Sequence, residues 1–235
     1  LYGGSTCELH YRCRTFREWA SNKLLLCADA EEGIGQRFFG GSYFVPPMAI
    51  GQIYEKDPEK AIKYAELYGK SIGEEAIKCG LNWILSPVCD VNTNSTNPVI
   101  NMRAWGDCPN MVLDLSRALH RGLDSMNILS CAKHFPGHGD TGVDSHLELP
   151  VIKHNLNRLE EIELIPFRGM IDEDVSSIMI GHLLLQSIDN NLPATFSSNV
   201  IKGLLRDKLG FKGLVVTDAL VMNSINNRYG NIDPA

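Results

Sequence analysis

The stretch Ile128-Leu129-Ser130-Cys131-Ala132-Lys133-His134-Phe135-Pro136-Gly137-His138-Gly139-Asp140-Thr141-Gly142-Val143-Asp144-Ser145-His146 sets a short apolar run directly against three histidines, two aspartates and a lysine. The run has the length and composition of a buried strand. Titratable groups at the mouth of a buried strand are costly to desolvate unless something pairs or uses them. The stretch therefore predicts a strand that ends in a working loop.

The pattern repeats on either side. Residues 24–29 predict a fully buried strand ending at Asp29, and residues 83–90 one ending at Asp90, with an irregularity at Pro87. Residues 176–182 end at His182 and residues 214–218 at Asp218. Helical spacing lies between them. Residues 15–22 read as the tail of a helix, and Asp57-Pro58 caps a longer one that stops at Gly80. Others run from Pro109 to about Met126, over 156–170 with a break at Pro166, and from Ser197 or Ser198 to Gly210. The Gly- and Pro-bearing segment 31–48 is too irregular for a regular element.

Alternating strands and helices predict an α/β fold with a parallel sheet. Because each apolar run ends in a polar or charged residue, the prediction is a TIM-type (β/α) barrel, whose strand ends meet on one face. An open doubly wound sheet brings fewer ends to its crevice. Five strands, with a remnant of another at Leu1-Tyr2, are too few to close a barrel. The expectation is one incomplete barrel domain over residues 1–235, cut short at the N-terminus and before its final βα units.

Bulk properties narrow the function. The 235 residues carry a net charge of −6, with 44% hydrophobic and 21% charged residues and no basic cluster, which argues against a nucleic-acid partner. No apolar run approaches the roughly 18 residues of a membrane-spanning helix. Seven cysteines without a C-x-x-C pair suit a reducing compartment, so the expected location is cytoplasmic, although the start at Leu1 lacks a Met.

His134, His138 and His146 with Asp140 and Asp144 invite a metal reading, but Pro136, Gly137 and Gly139 preclude the helix that would align His-x-x-x-His ligands. No metal and no organic cofactor is expected. Acid/base and covalent chemistry on a sugar fits better. Glycoside hydrolysis needs a group to protonate the leaving oxygen and another to meet the developing positive charge. Asp218 is placed as a carboxylate nucleophile. His146 is a candidate acid/base, with Asp144 two residues earlier to hold its imidazole.

Lys-His-Phe-Pro-Gly-His-Gly at 133–139, Asp-Ser-His at 144–146 and Val216-Thr217-Asp218-Ala219-Leu220 resemble the β-N-acetylglucosaminidase branch of glycoside hydrolase family 3. So do Asp29-Ala30-Glu31-Glu32-Gly33 with Gln36-Arg37, Asn97-Pro98-Val99-Ile100 with Arg103, and Pro193-Ala194-Thr195. The resemblance implies a barrel and a retaining mechanism in which Asp218 attacks the anomeric carbon. His146 would then act as acid and afterwards as base, with Asp144 orienting it. It also implies that Asp29, Arg37, Arg103, Lys133 and His134 grip the sugar, and that loop 135–146 carries His146 in and out. The expected substrate is a terminal β-linked GlcNAc, as in peptidoglycan fragments.

Two rivals stay open: phosphorolysis, which a histidine acid/base would tolerate, and an inactive sugar-binding barrel. Some residues also carry a second reading. Asp90 holds loop backbone or touches ligand, His182 is a bonded core-edge residue or a site residue, and His138 braces the loop. Trp105 packs in the core or lines the pocket. His10, His120 and His154 read as surface residues. Asn94-Ser95-Thr96 fits a glycosylation acceptor.

Overall fold

A computed structural model describes residues 1–145 and 147–229. The first helix, α1 (Thr6–Trp19), is longer than its apolar spacing suggests. It begins at a capping box in which Ser5 and Glu8 bond each other's backbone. Leu1-Tyr2 is not a strand, although the Leu1 amine donates to the Cys27 carbonyl.

Next come β1 (Cys27–Ala28), α2 (Pro47–Tyr54) and α3 (Pro58–Cys79). The last is bounded as the sequence predicts, by Asp57 accepting from the Lys60 amide and by Gly80 at φ 84°. Then follow β2 (Trp83–Ile84), α4 (Pro109–Asp124), β3 (Cys131–Phe135) and a two-residue strand β4 (Val151–Ile152). The helical stretch near Pro166 is two helices, α5 (Leu156–Glu161) and α6 (Leu164–Asp172). The break falls upstream of the proline, at Ile162 (φ −132°), because a proline ring excludes the carbonyl four residues before it.

The chain closes with β5 (Ser177–Ile180), β6 (Leu184–Leu185), a π-helical segment Asn199–Lys208, β7 (Leu214–Thr217) and α7 (Asn223–Tyr229).

Among the described residues all strand pairs are parallel: β1 with β2, β3 with β5, β5 with β7, and β4 with β6 in a separate ribbon. Parallel bridges from Trp83 to Leu129 and from Val88 to Lys133 join β2 to β3. The main order is thus β1-β2-β3-β5-β7. It runs in sequence without reversal, so the sheet has no switch point of the doubly wound kind and has a barrel's order instead.

Side chains alternate across this curved sheet. Cys27, Trp83, Cys131, Met179 and Val216, from five different strands, pack in one inner layer. Ala28 and Ile84 face α3 and α4, while Ala132, Ile178 and Ile180 face α6 and the π-helical segment. Segment 24–29 is not fully buried: Leu26 and Ala28 are covered, but Leu25 on the inner face is 49% exposed. Two residues beyond the inner layer, on the same face, the strand ends carry Asp29, Lys133 and Asp218. A period of two therefore delivers the polar groups to one mouth. No helix among the described residues is long and apolar enough to cross a membrane.

Candidate active site

A cavity of about 340 Å³ opens at this mouth, lined by Asp29, Arg103, Lys133, His134, Ser145 and Asp218 among others, with Leu85, Val99 and Met179 as an apolar wall. Its first side is a compact ion network. Lys133, 1% exposed, bonds Asp29 and Glu31 through its ammonium. Arg103 makes a two-pronged contact with Glu31, from Nε to Oε2 at 2.8 Å and from Nη2 to Oε1 at 2.7 Å. Burial pushes the Glu31 carboxyl up, but Lys133 and Arg103 hold it well below the usual carboxylate range. Burial likewise opposes charge on Lys133, and Asp29 with Glu31 more than offsets it, so the ammonium titrates above its ordinary value.

Arg37 stands behind Asp29 and does not line the cavity. Its guanidinium holds the Asp29 carbonyl (3.0 Å) and carboxylate (3.1 Å), and Tyr2 stacks over it.

His134 is oriented from behind by Asp90, which is fully buried. Asp90 accepts from the His134 ring at 2.7 Å, from the His134 amide at 3.2 Å and from the His138 amide at 2.6 Å. Of its two possible roles, Asp90 therefore holds loop backbone. Burial raises its carboxyl, yet His134 and His138 bring it below the ordinary value. With Nδ1 turned to Asp90, His134 Nε2 faces the Arg103 guanidinium at 3.4 Å, which fixes the ring's tautomer.

The first part of the loop after β3, residues 135–141, is packed and bonded against the body, which narrows the stretch expected to carry His146. Residues 135–139 are buried. Asn97 donates to the carbonyls of His138 (2.9 Å) and Gly139 (3.1 Å). Asn94 donates to the Thr141 carbonyl, so the amide of that acceptor triplet is already engaged. Gly139 lies so close to Val91 that an added Cβ would sit 1.8 Å from its carbonyl oxygen. Asp140 is tied to His154 and to the Thr93 hydroxyl.

Only from Gly142 does the loop leave the body. Asp144 is half-buried there, and Ser145 reaches back to the His138 ring at 3.0 Å. The other His138 nitrogen meets the Thr141 hydroxyl at 2.7 Å, and burial pushes this imidazole down to about 4. His138 thus braces the loop. His146 lies outside the described residues.

Asp218 ends β7, where its amide donates to the Ile180 carbonyl at 3.0 Å and its carboxylate accepts the Ala219 amide at 2.7 Å. Burial raises its pKa. The His134 ring, the Ala219 amide, His182 and Lys133 outweigh that and hold it below the ordinary aspartate value. The carboxylate is therefore ionised and available for attack.

Glu31 was missed in the sequence as a site residue, because it lies in the turn after β1 where no strand period points to the site. Asn97 was quoted there only for its motif. His120 is not a surface residue: it is buried between Ser130 and the Glu173 carbonyl. Trp105 packs in the core against Tyr68.

A parallel, barrel-ordered sheet thus sets an ionised carboxylate opposite a charged, hydrogen-bonding wall. Residues 4–235 match the glycosyl hydrolase family 3 N-terminal domain, and the chain belongs to that family, whose fold is TIM-barrel-like. A β-hexosaminidase of Nitrosomonas eutropha is 38% identical over 90% of this chain and 60% of its own. A glycoside hydrolase family 3 β-N-acetylglucosaminidase from Paenibacillus sp. str. FPU-7 superposes with a TM-score of 0.90 at 37% identity, over 97% of this chain and 45% of that one. NagZ from Neisseria gonorrhoeae, solved with N-trifluoroacetyl-D-glucosamine, superposes with a TM-score of 0.88 at 33% identity, over 96% and 66%. The chain thus spans about half the length of the curated relatives it matches.

Proposed function

We propose that this domain is the catalytic barrel of a retaining exo-β-N-acetylglucosaminidase, acting on terminal β-linked GlcNAc of glycans such as peptidoglycan fragments. The observation that carries the reading is the opposition, across one small cavity, of the Asp218 carboxylate and the Asp29–Arg103–Lys133–His134 wall. Charge-assisted hydrogen bonds from that wall suit sugar hydroxyls, and Leu85, Val99 and Met179 offer an apolar surface to an acetyl methyl. The names of the relatives support the same substrate class. The share of those relatives that is covered supports a barrel continuing beyond this stretch.

In this mechanism an Asp218 oxygen attacks C1 while the bond from C1 to the leaving oxygen breaks, and His146 gives that oxygen its proton. Water then attacks C1 of the glycosyl ester, His146 takes a proton from the water, and the ester bond to Asp218 breaks. Asp144 orients His146, and Ser145 at the cavity wall marks where the loop enters the site.

The test uses Asp218→Ala in the full-length protein with an aryl β-N-acetylglucosaminide. Turnover should fall by roughly 10⁴-fold or more, as when an essential catalytic group is lost. Added azide should restore turnover and give the α-glycosyl azide. Retention of most activity removes Asp218 as nucleophile. Sugar 1-phosphate formed by the native protein in phosphate buffer redirects the reading to phosphorolysis, and binding of GlcNAc oligomers without turnover redirects it to a sugar-binding barrel.

A further inference from the structure

His182 is the fully buried histidine two residues past the end of β5, and the chemistry above leaves it unused. Lying on the face opposite Gly181, it points away from the cavity and toward the turn that follows β7. Its Nε2 meets the carbonyl oxygen of Ala219 at 3.0 Å, and its Nδ1 meets the Thr195 hydroxyl at 2.7 Å. Thr195 belongs to the short 3-10 helix Ala194–Phe196, and its hydroxyl also reaches the Gly181 carbonyl at 3.3 Å. The Ala194 amide in turn donates to the Leu183 carbonyl at 2.7 Å.

A carbonyl oxygen only accepts, so Nε2 carries the hydrogen and Nδ1 is left to the hydroxyl. The Ala219 bond therefore survives in both charge states of the ring. If the ring is neutral, Thr195 donates to Nδ1. If it is cationic, Nδ1 donates to Thr195, whose own hydrogen turns to Gly181.

Ala219 is the residue whose amide holds the Asp218 carboxylate at 2.7 Å. One residue thus links the histidine to the proposed nucleophile: His182 grips the carbonyl of Ala219, and the amide of Ala219 grips Asp218. Local bonding supplies part of the restraint: the Asp218 amide donates to the Ile180 carbonyl and the Met222 amide to the Ala219 carbonyl, each at 3.0 Å. The His182 bond adds what these leave out, a side-chain tie from the Ala219 carbonyl to the segment after β5 and, through Thr195, to the 3-10 helix.

We infer that His182 is a positioning residue for the nucleophile, fixing the turn after β7 through Ala219, with Thr195 as its support. The Pro193-Ala194-Thr195 segment is then the far end of the active site's scaffold. The inference rests on Asp218 being the nucleophile.

The test compares His182→Leu, His182→Gln and Thr195→Val in the full-length protein, using kcat/KM for an aryl β-N-acetylglucosaminide across pH, with thermal melts alongside. Among the described residues, the titratable groups acting on Asp218 include His134, His182 and Lys133, so changing His182 leaves His134 and Lys133 in place. His182→Leu should lower kcat/KM by roughly 10- to 100-fold, the scale of a small misplacement of a reacting group. It should also move the acid limb to higher pH, because Asp218 loses part of what keeps it ionised.

His182→Gln, whose amide can still donate to Ala219, should recover most of the loss. Thr195→Val should fall between the two. An acid limb and kcat/KM unchanged in His182→Leu overturn the inference. So does a loss that follows the melting temperature with no shift of the limb and no rescue by glutamine. Should His182→Leu fail to fold, the glutamine and valine variants decide by the same criteria. Failure of the underlying reading is separate, since Asp218→Ala would then stay active.

Discussion

Residues 135–141 and residues 142–145 follow the same strand and share a mixture of glycine and polar side chains, yet they are held quite differently. The first part lies against the loop 91–97, with the carbonyls of His138, Gly139 and Thr141 bonded by Asn97 and Asn94 and the His138 amide by Asp90. The second part begins with the exposed Gly142 and Val143, and its buried Ser145 returns to His138 and the cavity; Leu147 beyond it is 65% exposed. Glycine does opposite jobs in the two parts. At Gly139 the missing side chain permits close approach to Val91, whereas a Cβ at Gly142 would have its nearest neighbour 3.9 Å away, at Asn94. A glycine-rich loop is therefore no single packing unit.

The contrast can be broken from its anchored side first. Asp90→Ala removes the acceptor for two amides and one imidazole in a fully buried place. It should destabilise the domain by roughly 3–5 kcal/mol, as when one partner of a buried charged pair is removed. Chemical denaturation measures this, and a loss under about 1 kcal/mol, that of an ordinary hydrogen bond, would mean Asp90 is not the anchor.

Acid should act on the same half. Below pH 6.5 the unfolded chain protonates the His138 imidazole, which the folded loop resists until about pH 4. Stability should thus fall as pH drops through that window, by on the order of 3 kcal/mol in total. Glu31 acts in the same direction at lower pH. Its carboxyl is held below its ordinary value of 4.5, so its contribution is present above that value and is lost as pH falls toward the folded one. His138→Gln should flatten the decline between 6.5 and 4; an unaltered slope would show that the ring is not held neutral.

The glycines give the sharpest comparison. Gly139→Ala should cost roughly 1–3 kcal/mol or more, because the Val91 backbone must move. Gly142→Ala should stay within about 0.5 kcal/mol. Equal melting shifts for the two variants would erase the distinction between the anchored half and the arm.

Much of this architecture was readable in the linear chain, for specific reasons. The helix after Asp57-Pro58 ends at Gly80 because capping side chains and a left-handed glycine are local determinants that need no tertiary partner. Ser5 and Glu8 carried an equally local signal for α1 that apolar spacing alone overlooks. Lys133 and His134 were legible as strand-end residues, though β3 runs through them to Phe135. Reading His120 as a surface residue failed because a histidine's sequence context does not reveal the Glu173 carbonyl fifty-three residues away. The division of the loop at Gly142 was equally hidden, since it depends on what Val91, Asn94 and Asn97 bring to the other side.

By itself the sequence determined the alternation of elements, the parallel class of the sheet and the kind of chemical group at each strand end. Those follow from periodicity and capping, which act over a few residues. Tertiary structure alone decided the pairings: Asp29 with Lys133 across 104 positions, Glu31 with Arg103 across 72, and His182 with Ala219 across 37. The physical reason is that a buried charge or a lone imidazole is tolerable only beside its partner. Which partner arrives is set by the register and curvature of strands that meet only when the sheet closes around its inner layer.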